Sequence, residues 1–440
     1  MARDLNLSSV QEADVVDLAH DGRGVARIEG KAVFIEGALP GERVRFRLLK
    51  RRRHMDEAGL VEVLVASPDR ATPRCAHFGI CGGCSLQHLA PGAQLAAKER
   101  QLLENLQRIG NVQPQRVLEP LRGPEWAYRR RARLGIKYVH KKGRVLAGFR
   151  EREKPYIADI QHCEVLLAPL RDLPQRLAAL TETLSVRDKM PQVEVAAGDN
   201  ATALVFRVLE SLGAADLEKL AAFGAQLGLQ IFVQPGGLDT VRPLSDHSPP
   251  LEYAVDGGSV VIEFGPVDFI QVNRDINSAM VDTAMRLLEP QARDTALDLF
   301  CGLGNFTLPL ARRARHVTGV EGDASLVSKA QSNALRNGIG NAAFAVENLF
   351  EPKGFGAWAN AHYDLVLLDP PRAGAAELLH CMSRWKPRRL VYISCHPGSL
   401  ARDAQILVAD HGFVLSAAGV MDMFPHTTHV ESIAVFEKRP

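Results

Sequence analysis

The 440-residue sequence contains no apolar run near the twenty or so residues that span a membrane. Its start, MARDLNLSSVQEAD, is too polar for a secretion signal, so the cytoplasm is the expected compartment. The cysteines number seven, an odd count that argues against a disulfide framework in a chain of this length. There is no charge imbalance to speak of, the formal net charge being +2, so the total excludes nothing about partners. Repeats and long low-complexity tracts are also absent. What remains is an ordinary soluble composition, 46% hydrophobic and 24% charged, in a chain long enough for two to four domains.

Charge is informative only in its distribution. GERVRFRLLKRRRHMD (41–56) holds seven Arg/Lys against two acids. WAYRRRARLGIKYVHKKGR (126–144) holds eight, with Trp126, Tyr128 and Tyr138 interleaved. Such patches suit phosphate-backbone binding, although solvated surface is the commoner fate of a charge run and the aromatics would serve equally as core.

Three regions follow from the pattern. Residues 1–69 hold short alternating segments (DVVDLAH, GVARIEG, KAVFIEG, ERVRFRLLK, GLVEVLVA) split by DGRG and LPGE, which predicts a small β-barrel of the OB type. Residues 70–285 read as a mixed α/β region that opens on a cysteine cluster and a helix over about 94–109. Residues 286–440 alternate strand and helix, the rhythm of a doubly wound parallel sheet, and end in an antiparallel pair.

Ligands of such sheets bind beyond the carboxyl ends of the strands. There LDLFCGLGNFTLPLA (297–311) gives a strand, a glycine turn at Gly302 and Gly304, and a helix. The third glycine of the dinucleotide fingerprint is missing, which disfavours a nicotinamide enzyme and fits S-adenosylmethionine, a cofactor without a pyrophosphate. Glu321 closes the next strand, where an acid binds ribose hydroxyls; a helix cap is the plainer alternative. Asn348 ends a further strand, and Asp369 another, in LLDPPRAG, where two prolines stiffen the loop.

VYISCHPGSLARD (391–403) puts Cys395 where a strand gives way to a helix. A half-exposed thiol at the positive end of a helix is expected to have a lowered pKa and to act as a nucleophile. Cys301 and Cys381 suit packing instead. In MDMFPHTTHVESIAVFEKR (421–439), Glu431 opens an apolar strand, a costly place for an acid unless it is paired or used. His426 and His429 are further candidate bases.

In order, FIQVNRDIN, DLFCGLGNFTLPLA, LDPPRAGA, ISCHPGSLARD and MFPHTTHVES resemble the motifs of the RNA uracil-C5 methyltransferases. One departure is His396, where many relatives have asparagine. The resemblance implies Cys395 as the nucleophile on uracil C6 and Glu431 as the base that removes the C5 proton. It also implies that Gln271, Phe300, Asn305, Glu321, Asn348 and Asp369 line the S-adenosylmethionine pocket.

RCAHFGICGGCSLQH gives C-x5-C-x2-C from Cys75, Cys81 and Cys84, with Cys163 a possible fourth ligand. Spacing does not decide between zinc and a [4Fe–4S] cluster; the resembling family has a subset with this spacing and the iron cluster. The barrel resembles a TRAM domain. Barrel and cluster together imply 23S rRNA as the partner, acted on by a monomer, ahead of another rRNA uridine or tRNA. An iron–sulfur RNA-binding assembly factor without catalysis is the reading from another class.

Overall fold

The computed structural model describes residues 10–245, 248–351 and 355–438; the polar start that was read as lacking a signal falls largely outside them. Two compact units divide the chain: Met1–Gln101 with Pro425–Thr428, and Leu102–Phe424 with His429–Pro440.

In the first unit, β1 (Val10–Leu18), β2 (Gly24–Ile28), β3 (Lys31–Glu36), β4 (Arg43–Arg51) and β5 (Met55–Val65) close a barrel in the order β1-β2-β3-β5-β4. Alternation builds it: Val44, Phe46 and Leu48 face a core shared with Val15, Ala26, Val33, Ile35 and Ala58. The intervening Arg43, Arg45 and Arg47 face out. Buried Glu42 accepts from Leu39 N at 2.8 Å and binds Arg70 bidentately, which ties the following linker to the barrel. Helix α1 (Pro91–Arg108) crosses the boundary between the units.

Among the described residues, the second unit carries three sheets. The first has the order β12-β11-β10-β9-β7-β8, from β7 (Arg131–Val139), β8 (Arg144–Gly148), β9 (Gln192–Ala197), β10 (Thr202–Arg207), β11 (Gln230–Gln234) and β12 (Arg242–Pro243). Helices α2 (Leu173–Glu182) and α3 (Ala214–Leu227) pack on it. A hairpin, β13 (Leu251–Val255) and β14 (Val260–Phe264), follows. Helix α4 (Arg274–Leu288) begins only after FIQVN, because the Asn273 side chain caps it by accepting from Ile276 N.

The third sheet has the order β17-β16-β15-β18-β19-β21-β20-β6. Its parallel strands are β15 (Thr295–Leu299), β16 (His316–Glu321), β17 (Ala342–Val346), β18 (Leu365–Leu368) and β19 (Arg389–Ser394). Between them run α5 (Thr307–Ala311), α6 (Ala324–Arg336), α7 (Ala376–Leu379) and α8 (Met382–Trp385), with α9 (Pro397–Ala409) after β19. The expected terminal pair is β20 (Phe413–Met421) and β21 (Glu431–Lys438). β21 inserts antiparallel beside β19, so the last strand is interior and β20 lies outside it. A two-residue strand, β6 (Arg116–Val117), completes the edge.

The stretch 126–144 behaves less like a surface patch than expected. Arg130 is 2% exposed, and Tyr128 4%. Arg131 donates to Pro266 O at 2.5 Å and faces Glu194, which also binds Arg133. Alternation along β7 sends only part of the charge outward. The barrel run keeps more of its charge available. Arg43 and Arg45 pair with Glu12 and Arg52 with Glu57, while Arg47, Lys50, Arg51 and Arg53 are exposed and make no ion pair among the described residues.

Candidate active site

Five parallel strands end at one edge, and the register aligns their exits. Leu299 pairs with Val320 on one side and Leu368 on the other, so Phe300 falls beside Glu321 and Asp369. Leu368 pairs with Tyr392, which brings the end of β19 to the same level.

The chain leaves β15 through left-handed residues. Phe300 has φ 64°, Gly302 52° and Gly304 93°. Gly304 N donates to Cys301 O at 2.9 Å, closing the turn ahead of α5. A Cβ on Gly302 would meet no atom within 4 Å, so this backbone faces open space. Glu321 holds the turn from the next strand: its carboxylate accepts from Gly302 N at 3.2 Å and from Gly322 N at 2.7 Å. The Asn348 side chain accepts from Phe350 N at 3.1 Å, and the Phe350 ring lies 5.7 Å from that of Phe300. Asn305 forms a reciprocal amide pair with buried Asn277, both bonds 3.1 Å. Gln271 is half-buried, its carbonyl accepting from Arg130 Nε at 2.9 Å.

The turn thus offers an open backbone, a carboxylate and a flanking aromatic pair. One further group fits a bound small molecule. Asp298, in β15, is fully buried; Thr307 Oγ1 donates to its Oδ2 at 2.5 Å, while Oδ1 has no hydrogen-bond partner among the described residues. Burial pushes its carboxyl up to about 7. Asp369 is likewise pushed up to about 7 by burial. Asp298 was missed from the sequence. Its signal was an acid inside an apolar strand four residues before Gly302, the anomaly that had exposed Glu431.

Ser394 pairs with Ser432, and Ser432 Oγ donates to Ser394 O at 3.3 Å. Cys395 follows Ser394 and Glu431 precedes Ser432, so the two adjoin the end of the antiparallel ladder; Glu431 pairs with Met421. Cys395 is half-buried and precedes α9, whose cap is His396: its Nδ1 accepts from Ser399 N at 3.1 Å. The expected lowering of the thiol pKa is not found. Burial first, then the nearby Glu431 and Asp369 carboxylates, push it up to about 11. Arg372, in the loop after Pro371, is the opposing cation. One helix terminus is outweighed because desolvation and two carboxylates act in the same direction.

Cys301 and Cys381 are buried, as expected for packing. His426 is buried in the N-terminal unit, where its carbonyl accepts from Ser85 N and Leu86 N and its Nδ1 lies 3.2 Å from Gln94 Nε2. His429 is exposed, with its ring 5.2 Å from that of Phe424. Cys75, Cys81 and Cys84 are half-buried and Cys163 is buried. Among the described residues, no group of three or more His, Cys, Asp or Glu is arranged to hold a metal ion. Nor is any described helix long and apolar enough to cross a membrane.

A doubly wound sheet with a glycine turn after its first strand, an acid ending the second and an inserted antiparallel last strand defines a methyltransferase fold. The chain belongs to the tRNA (uracil-5-)-methyltransferase family, whose sequence profile matches residues 92–439. The TRAM domain profile matches residues 6–58. A 23S rRNA (uracil(1939)-C(5))-methyltransferase RlmD from Methylococcus capsulatus is 52% identical over 97% of this chain and 96% of its own. The protein of the same name from Stenotrophomonas maltophilia K279a is 51% identical over 97% of both chains. Among solved structures, the Pyrococcus abyssi tRNA (uracil-54, C5)-methyltransferase in complex with S-adenosyl-L-homocysteine superimposes with a TM-score of 0.74 at 25% identity. The match covers 97% of this chain and 100% of that one.

Proposed function

We propose that this protein methylates C5 of a uridine in 23S rRNA, with S-adenosylmethionine as methyl donor. The reading is carried by one observation: Cys395 and Glu431, 36 positions apart in the sequence, adjoin the last paired residues of β19 and β21, Ser394 and Ser432, at the edge that bears the glycine turn. The 51–52% identity to proteins named for this reaction and the TRAM barrel support the choice of RNA.

Bound S-adenosylmethionine supplies an electrophilic methyl group. Uracil C5 is too weak a nucleophile to take it unaided. Attack of the Cys395 thiolate on C6 converts the ring to an enolate and makes C5 nucleophilic. Once C5 is methylated, Glu431 removes its proton and Cys395 leaves as the C5–C6 double bond re-forms. The thiol is neutral in the free protein, so its ionisation belongs to substrate capture, with Arg372 as the charge that favours it. Gln271, Phe300, Asn305, Glu321, Asn348 and Asp369 hold the cofactor. The target base must leave its stack to reach such an edge. We take the protein to act as a monomer in the cytoplasm, where its rRNA substrate is found.

Cys75, Cys81, Cys84 and Cys163 are proposed to bind a [4Fe–4S] cluster that takes part in no step. The support is the C-x5-C-x2-C spacing and its family parallel, not an assembled ligand set among the described residues. Iron and acid-labile sulfide content after anaerobic purification decides it.

The test of function is transfer of tritium-labelled methyl to unmodified 23S rRNA or tRNA, with the modified base mapped. Cys395→Ala should abolish transfer, and Glu431→Gln should retain a covalent RNA adduct on a denaturing gel. Transfer by Cys395→Ala at the wild-type rate would falsify the mechanism; methylation of tRNA alone would reassign the substrate.

A further inference from the structure

Arg130 came from a basic stretch read as phosphate-binding, yet its guanidinium is buried. Nε donates to Gln271 O, and the Arg130 backbone N to Val272 O, each at 2.9 Å. Nη1 and Nη2 make no hydrogen bond among the described residues. The nearest acid, Asp199, stands 3.8 Å from Nη1 and is already engaged by Arg274 Nε at 2.9 Å. A buried cation with half of its fork unfilled costs stability, and an apolar side chain of similar volume would be tolerated as well or better. Stability therefore does not account for the residue.

Its neighbours suggest what does. The guanidinium carbon sits 4.8 Å from the centroid of the Tyr253 ring. Tyr253 is itself buried, and its hydroxyl donates to Asn305 Oδ1 at 3.2 Å. That oxygen also accepts from Asn277 Nδ2 at 3.1 Å. With both bonds in place the Asn305 amide cannot flip, and its Nδ2 keeps one proton beyond the bond to Asn277. One buried side chain thus reaches two segments assigned to the cofactor: Gln271 through its carbonyl and Asn305 through the Tyr253 ring.

We infer that Arg130 and Tyr253 are positioning residues for S-adenosylmethionine, locking Gln271 and the Asn305 amide before the cofactor arrives. The inference rests on the proposed cofactor pocket. It is tested by calorimetric titration of S-adenosyl-L-homocysteine into the full-length protein, with steady-state kinetics alongside. Tyr253→Phe deletes only the hydroxyl. It should weaken binding about three- to tenfold, the worth of one hydrogen bond, and raise the cofactor KM by the same factor with a much smaller effect on kcat. Arg130→Met should weaken binding at least as much without lowering the melting temperature of the ligand-free protein. Affinity and KM unchanged in Tyr253→Phe would overturn the inference, whether or not Arg130→Met folds. A wild-type protein that binds no S-adenosyl-L-homocysteine would instead overturn the pocket assignment, and this inference with it.

Discussion

Replacing Glu431 by glutamine should make Cys395 a faster nucleophile toward a small alkylating agent while destroying its usefulness toward RNA. In the free protein the thiol is pushed up to about 11, so at pH 7.5 only about 3 in 10,000 molecules carry the thiolate. Burial is the larger cause and survives the substitution. The Glu431 carboxylate does not. Cys395 and Glu431 adjoin the last paired residues of the two strands, and a charge separation of about 5 Å, that of cross-strand neighbours, serves for the magnitude. At an effective dielectric near 20, two charges at that distance repel by about 3 kcal/mol, and the partial exposure of Cys395 trims this to about 1–2 kcal/mol. The thiolate population, and with it the alkylation rate at fixed pH, should rise about five- to thirtyfold. The assay is iodoacetamide labelling against pH, with the modified peptide identified by mass spectrometry. Wild-type reactivity should climb about tenfold per pH unit to roughly pH 11, and the variant's curve should lie to the acidic side. Superimposable curves would refute the placement of the Glu431 charge beside the sulfur.

Other outcomes follow from the same geometry. Gly302→Ala should strain a residue at φ 52° by about 1–2 kcal/mol and put a methyl into the open space of the turn, so S-adenosyl-L-homocysteine affinity should drop more than stability does. Asp298→Asn should stabilise the protein at pH 8 and not at pH 4. The native carboxyl titrates near 7 against about 4 when unfolded, so its neutral form is favoured; stability is complete below pH 4 and decays as pH rises to 7. The three-unit shift corresponds to about 4 kcal/mol, an upper bound on the gain in chemical denaturation at pH 8. Arg47→Ala should lower rRNA affinity and reduce the slope of log K against log salt by about one, as expected of an exposed cation that releases one counterion.

The barrel and the doubly wound sheet were legible because alternation and strand–helix rhythm are local properties. The glycine turn was legible for the same reason, since a positive φ at Gly302 and Gly304 shows in the residue type. Helix α4 starts only after Asn273, because the side-chain cap there sets its first turn. The stretch 126–144 was misjudged in part. A run of arginines looks alike whether it meets solvent or, as with Arg130, a tyrosine ring. Asp298 escaped notice although it broke the same rule as Glu431, an acid in an apolar strand.

The sequence by itself determined which groups the chain could bring to bear: a thiol before a helix, acids at strand ends, a glycine turn and a basic barrel. Such features depend on neighbours a few residues away. Only the tertiary structure decided their company. Inserting β21 antiparallel to β19 sets Glu431 against Cys395, and the burial of both strands with Asp369 nearby raises the thiol pKa instead of lowering it. Electrostatics in a protein interior depends on distance and solvent access, and neither exists until the strands are paired.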